Sequence, residues 1–306
     1  MTRTRLIALS ALTALASVTG LAACGSQDDS GHANGAAKVV TTTNVWGSVA
    51  TAVAGGHADV KSLLTSDVDD PHSYEATPAD AAAIADASLV VINGGGYDHW
   101  ADDVLKNHKN VTTVDAYSLL PHSAPGEANE HVFYNMAVAK AVAAKIADDL
   151  AKSDSANADA YRANAAEFGK KTDAIAATEH AIGQKHPGAA VVSTEPVAHY
   201  LLAAAGVVDS TPHGFAAAAE EGHDPAPADV AAVLDLINGH KVDALVVNKQ
   251  TETAVTKQLQ DAARKSALPI VEVTETLPAG QDFLTWQRQT AEALAHQLDS
   301  AAAPGR

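Results

Sequence analysis

Residues 77–96 read TPADAAAIADASLVVINGGG, and this stretch indicates the fold class. Thr77 is a favourable N-cap, Pro78 suits the first helical position, and Asp80 places an acid near the positive end of the helix dipole. The apolar run SLVVI that follows predicts a short buried strand, and the NGGG after it predicts a turn. A capped helix that leads into a buried strand is typical of the units that cover a parallel sheet.

The same alternation of short apolar strands and helices extends along both halves of the chain. In the first half we predict strands at 38–43, 59–64, 88–92 and 111–114, and helices at 45–53, from Thr77 and at 98–107. In the second half we predict strands at 189–193, 244–248 and 269–273, and helices at 196–205, from Pro227, at 251–266 and at 281–299. This order predicts an α/β protein with two βα lobes, each built on a parallel-type sheet.

A single long helix is predicted between the two halves, over about residues 156–184. Its apolar or small residues are spaced alternately four and three apart, which gives it one continuous buried face. At 1.5 Å per residue it would span roughly 40 Å and join the lobes rigidly. The predicted segments are a signal peptide (1–23), a disordered tether (24–37), an N-terminal lobe (38–153), the linking helix (154–186) and a C-terminal lobe (187–302).

The N-terminal segment predicts secretion and lipid attachment. Arg3 and Arg5 precede an apolar stretch that ends near Val18, which is shorter than the roughly 20 residues of a membrane span. The sequence LAACG at 21–25 resembles the bacterial lipobox, so we expect Cys24 to be diacylated and to hold the protein on the outer face of the cell membrane. An ordinary signal peptide with a chance cysteine is the alternative.

The charge balance narrows the class of partner. The chain has 20 basic and 37 acidic residues and a net charge of −17. Residues 1–23 contain two arginines and no acid, so the remainder has 18 bases against 37 acids, a net charge of −19. Because an acidic surface repels phosphate groups, nucleic acid is excluded as an expected partner.

Four residues are candidate metal ligands because we expect them just past strand ends: His72, His131, Glu195 and Glu275. In open α/β sheets ligands bind beyond the carboxyl ends of the strands, so a cation would lie in the cleft between the lobes. Imidazole and carboxylate groups together suit Zn²⁺ or Mn²⁺. Taken singly, each histidine also fits a solvated loop residue and each glutamate a surface acid.

Two segments of the chain are distinctive: DPHSYEATPADAAAIADASLVVINGGGYDHW at 70–100 and EHVFYN at 130–135. They resemble motifs of the zinc and manganese solute-binding proteins of bacterial ABC importers, and the similarity extends over nearly all of 38–302. The resemblance implies two βα lobes joined by one long helix, with the metal site in the cleft between them. It also implies four metal ligands, namely His72, His131, Glu195 and Glu275.

The chain departs from the family pattern beside the second histidine. Glu130 stands where the family commonly has proline, and Asn135 stands where it often has an acid. Many zinc-specific members have a long histidine-rich loop. The sequence of this chain has no such loop, and its histidines are scattered. Four of them are lesser metal candidates that we expect to be surface residues: His99, His199, His213 and His223.

The resemblance implies a binding protein and not an enzyme. It would be a lipid-anchored monomer that captures one Zn²⁺ per chain, with Mn²⁺ as the alternative, and delivers it to an ABC permease and its ATPase. A surface metalloenzyme is an alternative, but catalytic zinc typically has three protein ligands and an open position. A metal-dependent surface adhesin is the other alternative.

Overall fold

Two parallel sheets form the framework of the computed structural model, which describes residues 36–65, 71–121 and 129–302. The first sheet has the strand order β2-β1-β3-β4 and contains β1 (Ala37–Thr43), β2 (Ala58–Leu64), β3 (Leu89–Ile92) and β4 (Thr112–Asp115). The second has the order β6-β5-β7-β8 and contains β5 (Ala190–Ser193), β6 (Val208–Asp209), β7 (Ala244–Asn248) and β8 (Ile270–Val273). The second lobe therefore repeats the strand order of the first.

Ten α-helices are present in the described residues. The first lobe contains α1 (Asn44–Ala54), α2 (Pro78–Ala85), α3 (His99–Leu105) and α4 (Met136–Ser153). The helix between the sheets is α5 (Ala158–Lys185). After it come α6 (His199–Ala204), α7 (His213–Glu220), α8 (Pro227–Asn238), α9 (Ala254–Lys265) and α10 (Phe283–Ala301). The predicted fold class, two parallel βα lobes and a long helix, is confirmed.

The start of α2 shows why the opening stretch folds as predicted. The Thr77 hydroxyl accepts a hydrogen bond from the Asp80 backbone N–H, and the Asp80 carboxylate accepts from the Thr77 backbone N–H at 2.9 Å. This reciprocal capping box satisfies two backbone donors that the first helical turn would otherwise leave without partners. The strand that follows, β3, is fully buried.

Two elements of the second lobe were not predicted, and both lack a local signal. The strand β6 is two residues long and pairs with β5 only through Ala190–Val208 and Val191–Asp209. The helix α7 has no side-chain N-cap, because Pro212 occupies that position. The predicted signal peptide 1–23, the lipidation site Cys24 and nearly all of the tether 24–37 lie outside the described residues.

The buried face of α5 follows the predicted spacing. It consists of Tyr161, Ala165, Phe168, Gly169, Thr172, Ile175, Glu179 and Ile182. At 28 residues the helix is about 42 Å long. Gly183 has a packing role, because a Cβ there would lie 2.4 Å from the carbonyl oxygen of Ala205, where the turn after α6 crosses the helix.

The two lobes share one hydrophobic core in addition to the long helix. A single cluster of buried side chains runs from β1 and α1 through α4 and α5 to β7 and α10. Near the centre of this cluster, two aromatic residues of α10 pack among aromatic residues of the first lobe. The ring of Phe283 lies 6.4 Å from Trp46, and the ring of Trp286 lies 5.1 Å from Tyr134, measured between centroids. The last helix therefore completes the core of the first lobe.

The outer face of each sheet has its own smaller core. Side chains of α2 and α3 pack on the first sheet around Ile84 and Trp100. Side chains of α8 and α9 pack on the second sheet around Val233 and Leu259. Within the described ranges, no helix has both the length and the apolar character that crossing a bilayer requires.

Glu179 provides a test of this packing. Glu179 is 2 % exposed, and its Oε1 atom has no hydrogen-bond partner within the described residues. Burial raises the pKa of its carboxyl to about 8. Because the folded-state pKa lies above the unfolded value, the folded state binds the extra proton. The ionised carboxyl therefore destabilises the folded state. This destabilisation is absent below about pH 4.5, grows as the pH rises and is complete above about pH 8.

We expect Glu179→Gln to stabilise the metal-free protein by a few kcal/mol at pH 8 and by much less at pH 5. Denaturant unfolding at several pH values in the presence of chelator measures the difference. The control is Glu167→Gln on the exposed face of the same helix, where the carboxylate pairs with Lys170 and no such trend is expected. A stabilisation by Glu179→Gln that did not depend on pH would contradict the assignment.

Candidate metal centre

All four predicted ligands line one cleft at the carboxyl ends of the strands: His72, His131, Glu195 and Glu275. Glu195 and Glu275 follow β5 and β8 by two residues, and His72 lies in the segment after β2. The expectation that His131 follows a strand end directly is wrong, because β4 ends at Asp115 and His131 immediately precedes a 3-10 turn at Val132–Tyr134. The chain after β4 thus returns to the cleft before α4 begins.

Three of the four residues already have the spacing of metal ligands. His72, His131 and Glu275 each place one ligand atom within 4.8 Å of the others. Glu275 Oε2 lies 3.5 Å from His72 Nδ1 and 3.5 Å from His131 Nε2. In a tetrahedral zinc site with bonds of about 2.1 Å, ligand atoms lie about 3.4 Å apart. The arrangement can therefore accept a metal ion with little movement.

Glu195 stands beside this group of three and is tied to it by Asn248. The side-chain amide nitrogen of Asn248 donates to Glu195 Oε2 at 2.6 Å and to Glu275 Oε1 at 2.7 Å. The Asn248 Oδ1 atom accepts from the Gln250 backbone N–H at 3.1 Å, which fixes the orientation of the amide. One amide at the end of β7 therefore holds the two carboxylates side by side.

The environment of Glu195 has opposing effects on the pKa of its carboxyl. Burial raises the pKa of its carboxyl, and the nearby charge of Glu275 acts in the same sense. The hydrogen bonds from Asn248 and from the Thr251 hydroxyl lower the pKa, without fully offsetting burial. The charge of His131 acts in the same sense as these hydrogen bonds. A cation beside the two carboxylates would favour their ionised forms further, because it adds opposite charge close to both.

Polar neighbours on the first lobe orient both imidazoles. Asn129 Oδ1 lies 2.9 Å from His131 Nδ1, which leaves Nε2 facing the cleft. Glu130 Oε1 lies 3.6 Å from His72 Nε2, so the other nitrogen of that ring faces Glu275. Burial would raise the pKa of Glu130, but its interactions with His72 and the charge of His131 outweigh burial and lower it to about 2. Carboxylate and carbonyl partners of this kind commonly orient metal-binding histidines.

Two tyrosines of the first lobe fix the backbone that presents Glu275. The Tyr97 hydroxyl donates to the carbonyl oxygen of Glu275 at 3.3 Å, and the Tyr134 hydroxyl donates to that of Thr274 at 2.9 Å. The ring of Tyr97 also contacts His72 edge-on, with centroids 4.6 Å apart. The ligand segments of the two lobes are therefore in direct contact across the cleft.

Several residues in or beside the cleft are not predicted as part of the site. The sequence alone places Asn248 only at the end of the predicted strand 244–248 and marks Glu130 only as a departure from the family pattern, and it gives no reason to select Asn129, Thr251 or Glu220. The one available signal was the position of Asn248 at a strand end, which is where the predicted ligands were sought.

The four lesser histidine candidates have different positions. His223 lines the same cleft and pairs with Glu221. His99 begins α3 and lines a separate groove beside Trp100. His199 stacks edge-on against Tyr200, and burial lowers its pKa. His213 begins α7.

Comparison with known proteins agrees with this architecture. The profile of the family described as "ZnuA: Zinc-uptake complex component A periplasmic" matches residues 39–297. The manganese-binding lipoprotein MntA of Halalkalibacterium halodurans is 28% identical over 148 residues, which cover 47% of this chain and 49% of that protein. The metal ABC transporter substrate-binding lipoprotein FimA of Streptococcus parasanguinis is 25% identical over 266 residues, 82% of this chain and 83% of that protein.

A solved structure supports the fold. The periplasmic zinc-binding protein TroA from Treponema pallidum superposes with a TM-score of 0.74 at 18% identity, over 86% of this chain and 99% of that one. At this identity the similarity establishes the fold alone. The profile match, by contrast, extends over most of the chain and includes both lobes. The chain therefore belongs to the family of ZnuA, the periplasmic component A of zinc-uptake complexes.

Proposed function

We propose that this protein captures one divalent transition-metal ion outside the cytoplasm and delivers it to an ABC-type importer. The observation that supports this proposal is the convergence of two imidazoles and two carboxylates on one cleft: His72, His131, Glu195 and Glu275. The metal is the cargo, so the function is coordination and release, with no covalent bond made or broken. This agrees with a family of components of metal-uptake complexes.

We favour Zn²⁺ as the cargo and keep Mn²⁺ as the alternative. A site of two nitrogen and two oxygen ligands binds Zn²⁺ more tightly than Mn²⁺ by the usual order of affinities. The relatives do not decide between the metals, because one is named for manganese and another for zinc. The two carboxylates provide the hard oxygen ligands that manganese accepts.

The proposal extends to anchoring and partners. Diacylation of Cys24 would hold a monomer at the outer face of the membrane, beside a permease and its ATPase. Relatives that are named as lipoproteins of ABC transporters support this arrangement. Binding would couple to the packing of the lobes, because the ion would bring together ligands from both. The lobes would comprise residues 38–153 and 187–302, with residues 154–186 between them.

The first prediction concerns the histidines. We expect one Zn²⁺ per chain, and we expect His72→Ala and His131→Ala each to weaken the affinity at least tenfold, because each removes a direct ligand. Competitive titration of the metal-free protein against a chelator measures the affinity. His180→Ala, on the exposed face of α5, is the matched control and should bind like the wild type. Unchanged affinity in both cleft variants would rule out the site.

The second prediction concerns Asn248. Its replacement by alanine leaves Glu195 and Glu275 without their shared donor, so we expect metal affinity to fall about 10- to 100-fold, as for other residues that orient metal ligands. Asn238→Ala at the exposed end of α8 is the control. Titration with Zn²⁺ and with Mn²⁺ shows whether the loss depends on the metal. Wild-type affinity in a folded Asn248→Ala protein would show that the amide does not organise the site.

A further inference from the structure

A second group of potential ligands lies next to the four residues of the proposed site. One ligand atom from each of Glu130, His131 and Glu220 lies within 4.8 Å of the others. Glu130 and Glu220 are not among the four predicted ligands, and Glu220 is the last residue of α7. All three side chains line the same cleft as the proposed site. Two carboxylates and an imidazole are a ligand set that zinc accepts.

A buried amide holds this second group in place. The Asn129 side-chain nitrogen donates to Glu220 Oε1 at 2.8 Å, while its Oδ1 atom lies 2.9 Å from His131 Nδ1. Asn129 is 7 % exposed, and the Tyr200 hydroxyl donates to its carbonyl oxygen at 2.7 Å and accepts from its N–H at 3.1 Å. Asn129 thus aligns a carboxylate with an imidazole from a rigid position.

His131 is shared by the two groups. Its side chain is 3 % exposed, and its Nε2 atom lies 3.5 Å from Glu275 Oε2 but makes no hydrogen bond within the described ranges. Buried polar atoms of native proteins are nearly always satisfied, so a buried imidazole nitrogen of this kind calls for a partner such as an ion. Because Nδ1 is engaged by Asn129, Nε2 is the nitrogen available to an ion.

The two groups differ in access to solvent. The Glu275 side chain is 1 % exposed, whereas that of Glu130 is 22 % exposed and Glu220 is an exposed residue. A cation that enters the cleft therefore meets Glu220 and Glu130 before it reaches Glu275. Glu130 also stands between the groups, because its Oε1 atom lies 3.6 Å from His72 Nε2.

We propose that Glu130, His131 and Glu220 form an outer coordination position, in which a divalent metal ion is held on its way to and from the inner ligands. This proposal rests on the proposed function. Since both positions use His131, one ion occupies them in turn, and the stoichiometry remains one per chain. Transfer inward replaces Glu130 and Glu220 by the inner ligands His72, Glu195 and Glu275 while His131 stays bound, so the ion is never fully released in between.

The outer position can be tested with the inner ligands disabled. In a His72→Ala, Glu275→Gln variant we expect residual Zn²⁺ binding, and we expect Glu220→Gln in that background to weaken it roughly tenfold or more. Glutamine still accepts the hydrogen bond from Asn129. Glu221→Gln is the matched control, because it removes the same charge from the next residue, which pairs with His223 instead. Calorimetric titration measures the binding, and circular dichroism checks the fold.

A kinetic measurement in the otherwise unaltered chain covers the case in which the inner-site variant does not fold. We expect Glu220→Gln to slow Zn²⁺ association about fivefold while the equilibrium affinity changes less than about twofold, and we expect Glu221→Gln to have a much smaller effect on the rate. Stopped-flow mixing with a chromophoric chelator measures both quantities. The comparison separates coordination by Glu220 from general attraction of cations to the acidic cleft.

The outcomes distinguish this proposal from the proposed function. Residual binding that is absent, or that does not depend on Glu220, overturns the outer position while the inner site stands. Equal slowing of association by Glu220→Gln and Glu221→Gln also overturns it. If the wild-type chain itself fails to bind Zn²⁺ or Mn²⁺, the proposed function fails, and the outer position fails with it.

Discussion

The site depends on holding two buried carboxylates, those of Glu195 and Glu275, side by side. Glu195 and Glu275 repel each other, and burial adds a desolvation cost to each charge. The shared amide of Asn248 reduces that cost, because it donates to both groups at once. The imidazoles of His72 and His131 lie 3.5 Å from Glu275 on the other side. A divalent ion between these groups would stabilise both ionised carboxylates further, because it lies close to two opposite charges.

The frame around the cleft limits how binding can move the protein. The core that runs through α1, α4, α5 and α10 belongs to both lobes, and tyrosines of the first lobe hold the backbone beside Glu275. A wide hinge motion would separate these packed aromatic residues, at a cost that a single ion would have to offset. Adjustment within the loops after the strands requires much less of this packing to change. The structure therefore favours local rearrangement around the ion over large domain closure.

The sequence was most informative where local rules act. The capping box at Thr77, the short apolar strands and the spacing along α5 each have a signal within a few residues, and the structure agrees with all of them. The placement of His131 was harder, because it depends on how the chain returns from β4. The roles of Asn248 and Asn129 could not be predicted, because each contacts side chains that are distant in sequence and no local pattern indicates such contacts.

The insertion of α10 into the first lobe has a consequence for how the chain reaches this state. Phe283 and Trp286 pack against residues that precede them by well over a hundred positions, so part of the earliest lobe stays incomplete until the final helix has been made. Contacts of such long sequence separation slow the search for the native topology. The core of the first lobe would thus remain incomplete through most of synthesis. A truncation before α10 would expose apolar aromatic side chains of that core and favour aggregation.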